Sequence, residues 1–343
     1  MHTNGILEML TLPDLPDYLQ NGLYSLTDPN FVFIDGCKCI DLNDRTLITT
    51  DKNKILVIFF SDSNFGNIPF DLHDKIKTYL LNFLILSSDS SHHLQKSNLV
   101  YHPFYYYFLK NVLKDQAIGN NRINRVKRRY KVCCLNGTPR PHRIYNYLVL
   151  KNKSYYDDCF FSIHTDPVNI KNNRGDEPLL PNNIITEWDN VSANLPMFGD
   201  TNICSHHIDL SHPAYRNSYI NLVTETTVAH NFFISEKTWK PIAAGQLFLL
   251  FSCAGSVEHL RGYGIDTFDD IINHDYYDIE PDPFKRMFKL HEILDNLVKE
   301  NLHEIFIKTH DRRKKNMELF YNIDLGKRYT NDIQQLVQNI KNV

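Results

Sequence analysis

The segment Ile55-Leu-Val-Ile-Phe-Phe60 is an unbroken apolar run that ends abruptly in Ser61-Asp62-Ser63-Asn64. A strand with one wet face alternates apolar and polar residues. An unbroken run has to be covered on both faces, as in a parallel sheet sandwiched between helices. Leu72 to Phe83 follows with apolar spacing suited to a helix. Leu84 to Leu86 then reads as a strand before Ser87-Ser88-Asp89, and Asn98 to Tyr101 as another before His102-Pro103. This strand, helix, strand rhythm predicts a doubly wound α/β domain.

The rhythm restarts at Tyr130. The pattern predicts a strand over Tyr130 to Leu135, a loop over Asn136 to Pro141, a helix over His142 to Lys151 and a strand over Asp158 to Ile163. Residues 165–215 read as loop-rich. Beyond them come a strand at Tyr219 to Val223, a helix at Ser235 to Ala244, a strand at Leu247 to Phe251 and a helix at Ser256 to Tyr263. The tail, Pro283 to Val343, reads as two or three amphipathic helices. The expected fold is α/β, with two Rossmann-like domains facing a cleft, over residues 1–125 and 126–343, and with C-terminal helices. The basic stretch holding Arg122, Arg125, Lys127, Arg128 and Arg129 reads as the linker.

At 343 residues, with 42% hydrophobic and 22% charged residues, the chain suits two globular domains and not a disordered protein. A formal charge of −3 argues against a general polyanion binder while leaving room for a local basic patch. The seven cysteines form no CxxC pair, so they predict reduced thiols rather than a zinc site or a disulfide framework. The N-terminus lacks the pattern of a signal peptide, and the apolar runs fall short of the ~20 residues of a membrane helix. The expectation is a cytoplasmic protein with no membrane span.

In open α/β domains ligands bind beyond the carboxyl ends of the strands, where loops and helix N-termini present free N–H groups. Three polar clusters fall at such ends: Asn136 to Arg143, Thr224 to Thr227, and Ser235 to Lys240. They hold Arg140, Arg143, Lys237 and Lys240 together with Glu225 and Glu236. Arginines suit bidentate phosphate contact, lysines suit point-charge contact, and a carboxylate suits ribose hydroxyls. That combination fits a nucleoside diphosphate. Asn136, Thr226 and Ser235 complete the candidate donor-binding set.

Thr224-Glu225-Thr226-Thr227, followed by Phe233-Ile234-Ser235-Glu236-Lys237-Thr238-Trp239, resembles the donor-binding signature of the α1,3-fucosyltransferase family. The two glutamates stand 11 residues apart, close to that family's interval. Ala243-Ala244-Gly245 before Leu247 to Leu250 resembles its helix-to-strand passage, and Asn136 to Arg143 sits where the family places a phosphate-contacting base. The likeness spans roughly residues 130–270, with two departures, Thr226 after the glutamate and Thr238 before Trp239. The combined pattern is also similar to glycosyltransferase-like proteins of large DNA viruses and tailed phages.

The resemblance implies a two-domain glycosyltransferase of the B type. It implies inverting transfer from a nucleotide sugar to a hydroxyl acceptor, without a metal or other cofactor. Glu236 would bind ribose or cap its helix, and Lys237 would neutralise the departing diphosphate, a kind of stabilisation worth ~3 kcal/mol. The catalytic base would come from the N-terminal half, with Asp62 first, Asp89 second and His102 as the outsider. The acceptor is a saccharide or a hydroxymethylated base in phage-type DNA, the latter contacted through Arg122, Arg125 and Arg128. The competing reading is a non-catalytic nucleotide or nucleic-acid binding protein using the same phosphate site. Blander roles remain open: Ser235 as a helix cap, Trp239 as core, Tyr105 to Tyr107 as packing, and Asp269-Asp270 as a turn. His206, His207 and His212 lack ligand spacing for a metal.

Overall fold

The computed structural model describes residues 31–35, 55–60, 82–87, 89–90, 99–101, 125–137, 139–163, 182–192, 210, 212–228 and 232–322. By its contacts the chain divides into two compact units, Met1–Asn111 with Ile323–Val343, and Val112–Asn322.

The first unit contains β1 (Phe31–Asp35), β2 (Ile55–Phe60), β3 (Asn82–Ser87), the two-residue β4 (Asp89–Ser90) and β5 (Leu99–Tyr101). Four of these form a parallel sheet in the order β1-β2-β3-β5. Ile55 pairs with Phe31 on one side and with Asn82 on the other, which places the unbroken apolar run in an inner strand. β1 was not foreseen. The helix expected to reach Phe83 gives way by Asn82, where the strand begins, because Asn82-Phe-Leu-Ile-Leu-Ser87 is itself a continuous strand-forming run.

The second unit holds a four-stranded parallel sheet in the order β10-β8-β6-β7. Its strands are β6 (Tyr130–Leu135), β7 (Cys159–Ser162), β8 (Ser218–Thr224) and β10 (Leu247–Phe251), with the two-residue β9 (Phe232–Phe233) between the last two in sequence. All of β8 and β10 is buried. Each large apolar side chain taken from water there contributes about 1.5–3 kcal/mol. The helices are α1 (Pro141–Lys151), α2 (Asn182–Ser192), α3 (Pro213–Asn217), α4 (Glu236–Ala243), α5 (Ser256–Gly262), α6 (Asp275–Asp278), α7 (Pro283–Leu297), α8 (Leu302–Lys308) and α9 (His310–Asn322). The tail resolves into three helices over Pro283 to Asn322. α2 lies inside the stretch read as loop, and its Trp188 packs with Ile144, Tyr147 and Leu148 of α1.

Local chemistry explains the helix ends. Proline opens α1, α3 and α7, where its missing N–H costs nothing. α4 ends at Gly245 with φ 63°, which lets the Gly245 and Gln246 N–H groups return to the Ile242 and Pro241 carbonyls before β10 begins. Trp239 is core, against Tyr263 and Phe320 of α9. Two buried arginines, Arg128 and Arg313, both meet the Phe306 ring of α8. The guanidinium carbons of Arg128 and Arg313 lie 4.6 and 3.4 Å from the Phe306 ring centroid. Arg313 donates to the carbonyls of Gly245 and Phe306, both at 2.6 Å.

β10 is an edge strand among the described ones, and a side-chain relay covers it. The Leu250 N–H donates to the Tyr277 hydroxyl (3.2 Å), which meets His274 Nδ1 at 2.6 Å, while His274 Nε2 donates to the Thr267 carbonyl (2.9 Å). A second relay crosses the core: His291 Nε2 donates to Asn146 Oδ1 (2.9 Å), and Asn146 Nδ2 to Cys134 Sγ (3.3 Å). Burial pushes the Cys134 thiol up to about 12. Cys133, Cys134, Cys159 and Cys253 are all free thiols. Among the described residues no helix is long and apolar enough to cross a membrane.

Burial lowers His274 to about 4 and His291 to about 3, against an ordinary 6.5. Protonation therefore favours the unfolded chain, so stability is lost as pH falls below 6.5 and the loss is complete only below the folded values. We expect His291→Gln, whose amide keeps the bond to Asn146, to lose about 2 kcal/mol less than the native protein between pH 7 and pH 4.5. Urea unfolding at the two pH values measures it. Asp278, raised by burial to about 6, acts in the opposite sense but equally in both proteins.

Candidate functional site

The second unit's sheet ends at Leu135, Thr224 and Phe251, and polar residues follow each end. The Glu225 N–H continues the ladder to the Phe251 carbonyl at 2.9 Å, so the first residue beyond β8 is still held as sheet. Its side chain is fully buried. One carboxylate oxygen accepts from the Ser235 N–H (2.9 Å) and the Thr238 hydroxyl (2.5 Å). The other accepts from the Ser235 hydroxyl (2.6 Å) and the Thr226 N–H (3.3 Å). Ser235 is the N-cap of α4, its oxygen accepting from the Lys237 N–H (3.2 Å). Glu225 thus aims α4 from below, and its carboxylate is filled by internal donors.

The carbonyl of the same residue binds α1. His142 Nε2 lies 2.8 Å from it, and Arg143 Nη2 donates to it and to the Thr224 carbonyl, both at 3.3 Å. Arg143 is buried, as is His142. Asn136, just past β6, accepts from the Thr224 hydroxyl and donates to Cys134 Sγ (3.2 Å). Arg286, entirely buried on α7, reaches in from another side. It donates to the carbonyls of Val228, Glu280 and Pro281 and lies with its guanidinium carbon 5.6 Å from the Phe251 ring centroid.

These cations act on one another. Burial first, then Arg143, with further pressure from Arg140 and Arg286, pushes His142 well below its ordinary value. Burial likewise lowers Arg286. Arg143 and His142 thus share the Glu225 carbonyl at the strand ends, with Arg140 beside them at the N-cap of α1. Basic side chains placed at the ends of parallel strands suit an anionic ligand.

On α4, Lys237 Nζ pairs with Glu236 Oε1 at 2.6 Å and lies 3.3 and 3.4 Å from the hydroxyls of Ser235 and Thr226. Glu236 is buried and Lys237 only partly so. Lys240, one turn on, is buried with its ammonium 5.7 Å from the Tyr215 ring centroid. Hydrogen bonds thus link Asn136, Arg143, Glu225, Thr226, Ser235, Glu236 and Lys237 into one constellation. Arg140 joins it through its charge, and Lys240 faces α3.

Asp62, His102, Tyr105 to Tyr107, Arg122, His206 and His207 lie outside the described residues. Asp89 lies in β4. Arg125 is exposed, but Arg128 is inside, donating to the Tyr215 (3.1 Å) and Arg216 carbonyls. His212 caps α3, its Nδ1 accepting from the Ala214 N–H at 3.2 Å. Asp269 and Asp270 form a turn tied by ion pairs to Arg261 and Arg312. Among the described residues no three His, Cys, Asp or Glu side chains gather in a way suited to a metal ion.

Sequence reasoning missed His142 and Arg286. His142 is flanked by the very arginines it was passed over for. Arg286 had a legible signal, as a charge set among Met287, Leu290, Leu294 and Leu297 on the buried stripe of an amphipathic helix. The chain matches no protein-family model, no curated protein and no solved structure.

Removing the Glu225 carboxylate strands four buried donors, the N–H groups of Thr226 and Ser235 and the hydroxyls of Ser235 and Thr238, and a buried donor left unsatisfied costs about 1–3 kcal/mol. We expect Glu225→Ala to destabilise the protein by about 3 kcal/mol or more, and Ser235→Ala by about 1 kcal/mol. The double variant should fall short of the sum by at least about 1 kcal/mol, since the two side chains share bonds. Additive costs in chemical denaturation would show that Glu225 does not anchor α4.

Proposed function

We propose that the chain is a nucleotide-sugar-dependent glycosyltransferase and that the second unit holds the donor, with its diphosphate at the ends of β6 and β8. The observation that carries this is the bonded constellation of Arg143, Thr226, Ser235, Glu236 and Lys237 beyond the strand ends of a parallel sheet, where α/β domains bind ligands. The likeness of the Glu225 and Ser235-Glu236-Lys237 segments to the α1,3-fucosyltransferase signature supports it. Lys237, held at the start of α4 and partly open to solvent, neutralises charge on the departing diphosphate. Glu225 serves by aiming that helix.

The rest of the reading extends the same proposal. The fold is of the B type, transfer is inverting, and the base is Asp62 or, failing that, Asp89 from the first unit. The setting is cytoplasmic. The acceptor is a saccharide or another small hydroxyl compound. Of the three arginines invoked for DNA, Arg128 is engaged inside on backbone carbonyls, which favours the saccharide.

Incubation with a panel of nucleotide sugars, without acceptor, tests the proposal through release of free nucleoside diphosphate. We expect one donor to be hydrolysed slowly and Lys237→Ala, still folded by circular dichroism, to lower that rate about 100-fold. No release from any donor would favour a nucleotide-binding protein without catalysis, and an undiminished rate in the variant would remove Lys237 from the site. Turnover should also persist in excess EDTA, because Arg140, Arg143 and Lys237 supply the charge a metal otherwise brings. Loss restored by Mg²⁺ or Mn²⁺ would contradict this.

A further inference from the structure

Lys237 is the side chain to which the proposed transfer gives the phosphate, and in the structure it is already occupied. An ammonium group has three N–H donors. Lys237 Nζ meets three acceptors: Glu236 Oε1 at 2.6 Å, the Ser235 hydroxyl at 3.3 Å and the Thr226 hydroxyl at 3.4 Å. The Ser235 hydroxyl spends its own proton on Glu225, so toward the lysine it only accepts. Of the three acceptors only Glu236 is charged, and its bond is the shortest, as charge-assisted bonds are.

The pair is unusual in its spacing. Adjacent residues on a helix point about 100° apart and do not face each other. Glu236 and Lys237, both in the first turn of α4, meet only because their side chains turn toward one another. The four-carbon stem of a lysine can undo that turn with no change in the backbone. The Glu236 side chain is 6% exposed and that of Lys237 18%, so water screens the pair weakly while the lysine still reaches solvent. An arriving anion therefore has to take Lys237 from a carboxylate already in place. An anion of one charge offers the ammonium no more than Glu236 does. A diphosphate, with several charges and oxygens, offers more.

We propose that Glu236 is an internal rival of the ligand: it holds Lys237 in the empty site, yields it to a diphosphate, and reclaims it as the product nucleotide leaves. The inference rests on the donor site of the proposed function and adds to it a control on how tightly that site keeps its product. The rivalry weakens diphosphate binding below what the lysine alone would give. Removing the Glu236 charge should then strengthen binding. A carboxylate that served only to hold ribose would behave differently, since its loss would weaken a nucleoside diphosphate and leave inorganic diphosphate unaffected.

Inorganic diphosphate, which has neither ribose nor base, is therefore the probe, and titration calorimetry gives its affinity. We expect Glu236→Gln, which keeps the shape and loses the charge, to bind it about tenfold more tightly than the native protein. In a Lys237→Gln background the same change should bring no gain, because no ammonium is left to release. An unchanged or weaker affinity in Glu236→Gln overturns the rivalry and leaves the donor site standing. A gain that persists without Lys237 also overturns it, as an effect of net charge alone. No diphosphate binding to either the native protein or Glu236→Gln overturns the donor site as well. Should Glu236→Gln not fold by circular dichroism, Glu236→Asp, which keeps the charge but withdraws it by one methylene, decides in its place. A smaller gain is expected there, and no gain overturns the rivalry.

Discussion

The second unit depends on one carboxylate placed where a sheet stops. Glu225 is the first residue past β8, and its backbone still pairs with β10. Its side chain meets two donors on each oxygen, three of the four coming from Ser235 and Thr238 at the start of α4. Its carbonyl holds His142 and Arg143 from α1. A buried anion is tolerable only when donors surround it. Here those donors belong to the elements the site is built from, so satisfying the charge and assembling the site are the same event.

Arginine does the complementary work. Arg128, Arg286 and Arg313 are all buried and donate largely to backbone carbonyls. The guanidinium group has five donors in a plane and is weakly hydrated, so it can satisfy several carbonyls that no helix or sheet reaches. Arg313 closes the turn after α4, Arg128 holds the last carbonyls of α3, and Arg286 fixes Val228 just beyond Glu225. Arg286 thereby bolts α7 to the loop beyond β8, while Arg313 and Arg128 secure the segments that lead into β10 and β8.

These interactions also explain what the chain revealed in advance. Fully buried parallel strands leave a plain trace, so Tyr130 to Leu135, Ser218 to Thr224 and Leu247 to Phe251 were legible almost to the residue. The cap at Ser235 was legible because capping is local chemistry. The site's polar residues could be placed because strand ends could be placed. Arg128 could not, since a charged residue outside a patterned helix reads as surface unless its distant carbonyl partners are known. Glu225 illustrates the same limit. Its position was found, but the four donors that fill its carboxylate come from residues whose arrangement exists only in the fold.

The relay from Leu250 through Tyr277 to His274 has a consequence for how this protein meets copies of itself. An edge strand with unclaimed amides is a template on which another chain can zip a strand of its own, the first step toward fibrils. In β10 the Leu250 amide is already committed to a phenol hydroxyl, and the tyrosine that supplies it is buried and held in turn by a histidine. A would-be extra strand would have to displace that buried ring to reach the Leu250 amide. One buried side chain thus closes that amide to strand addition.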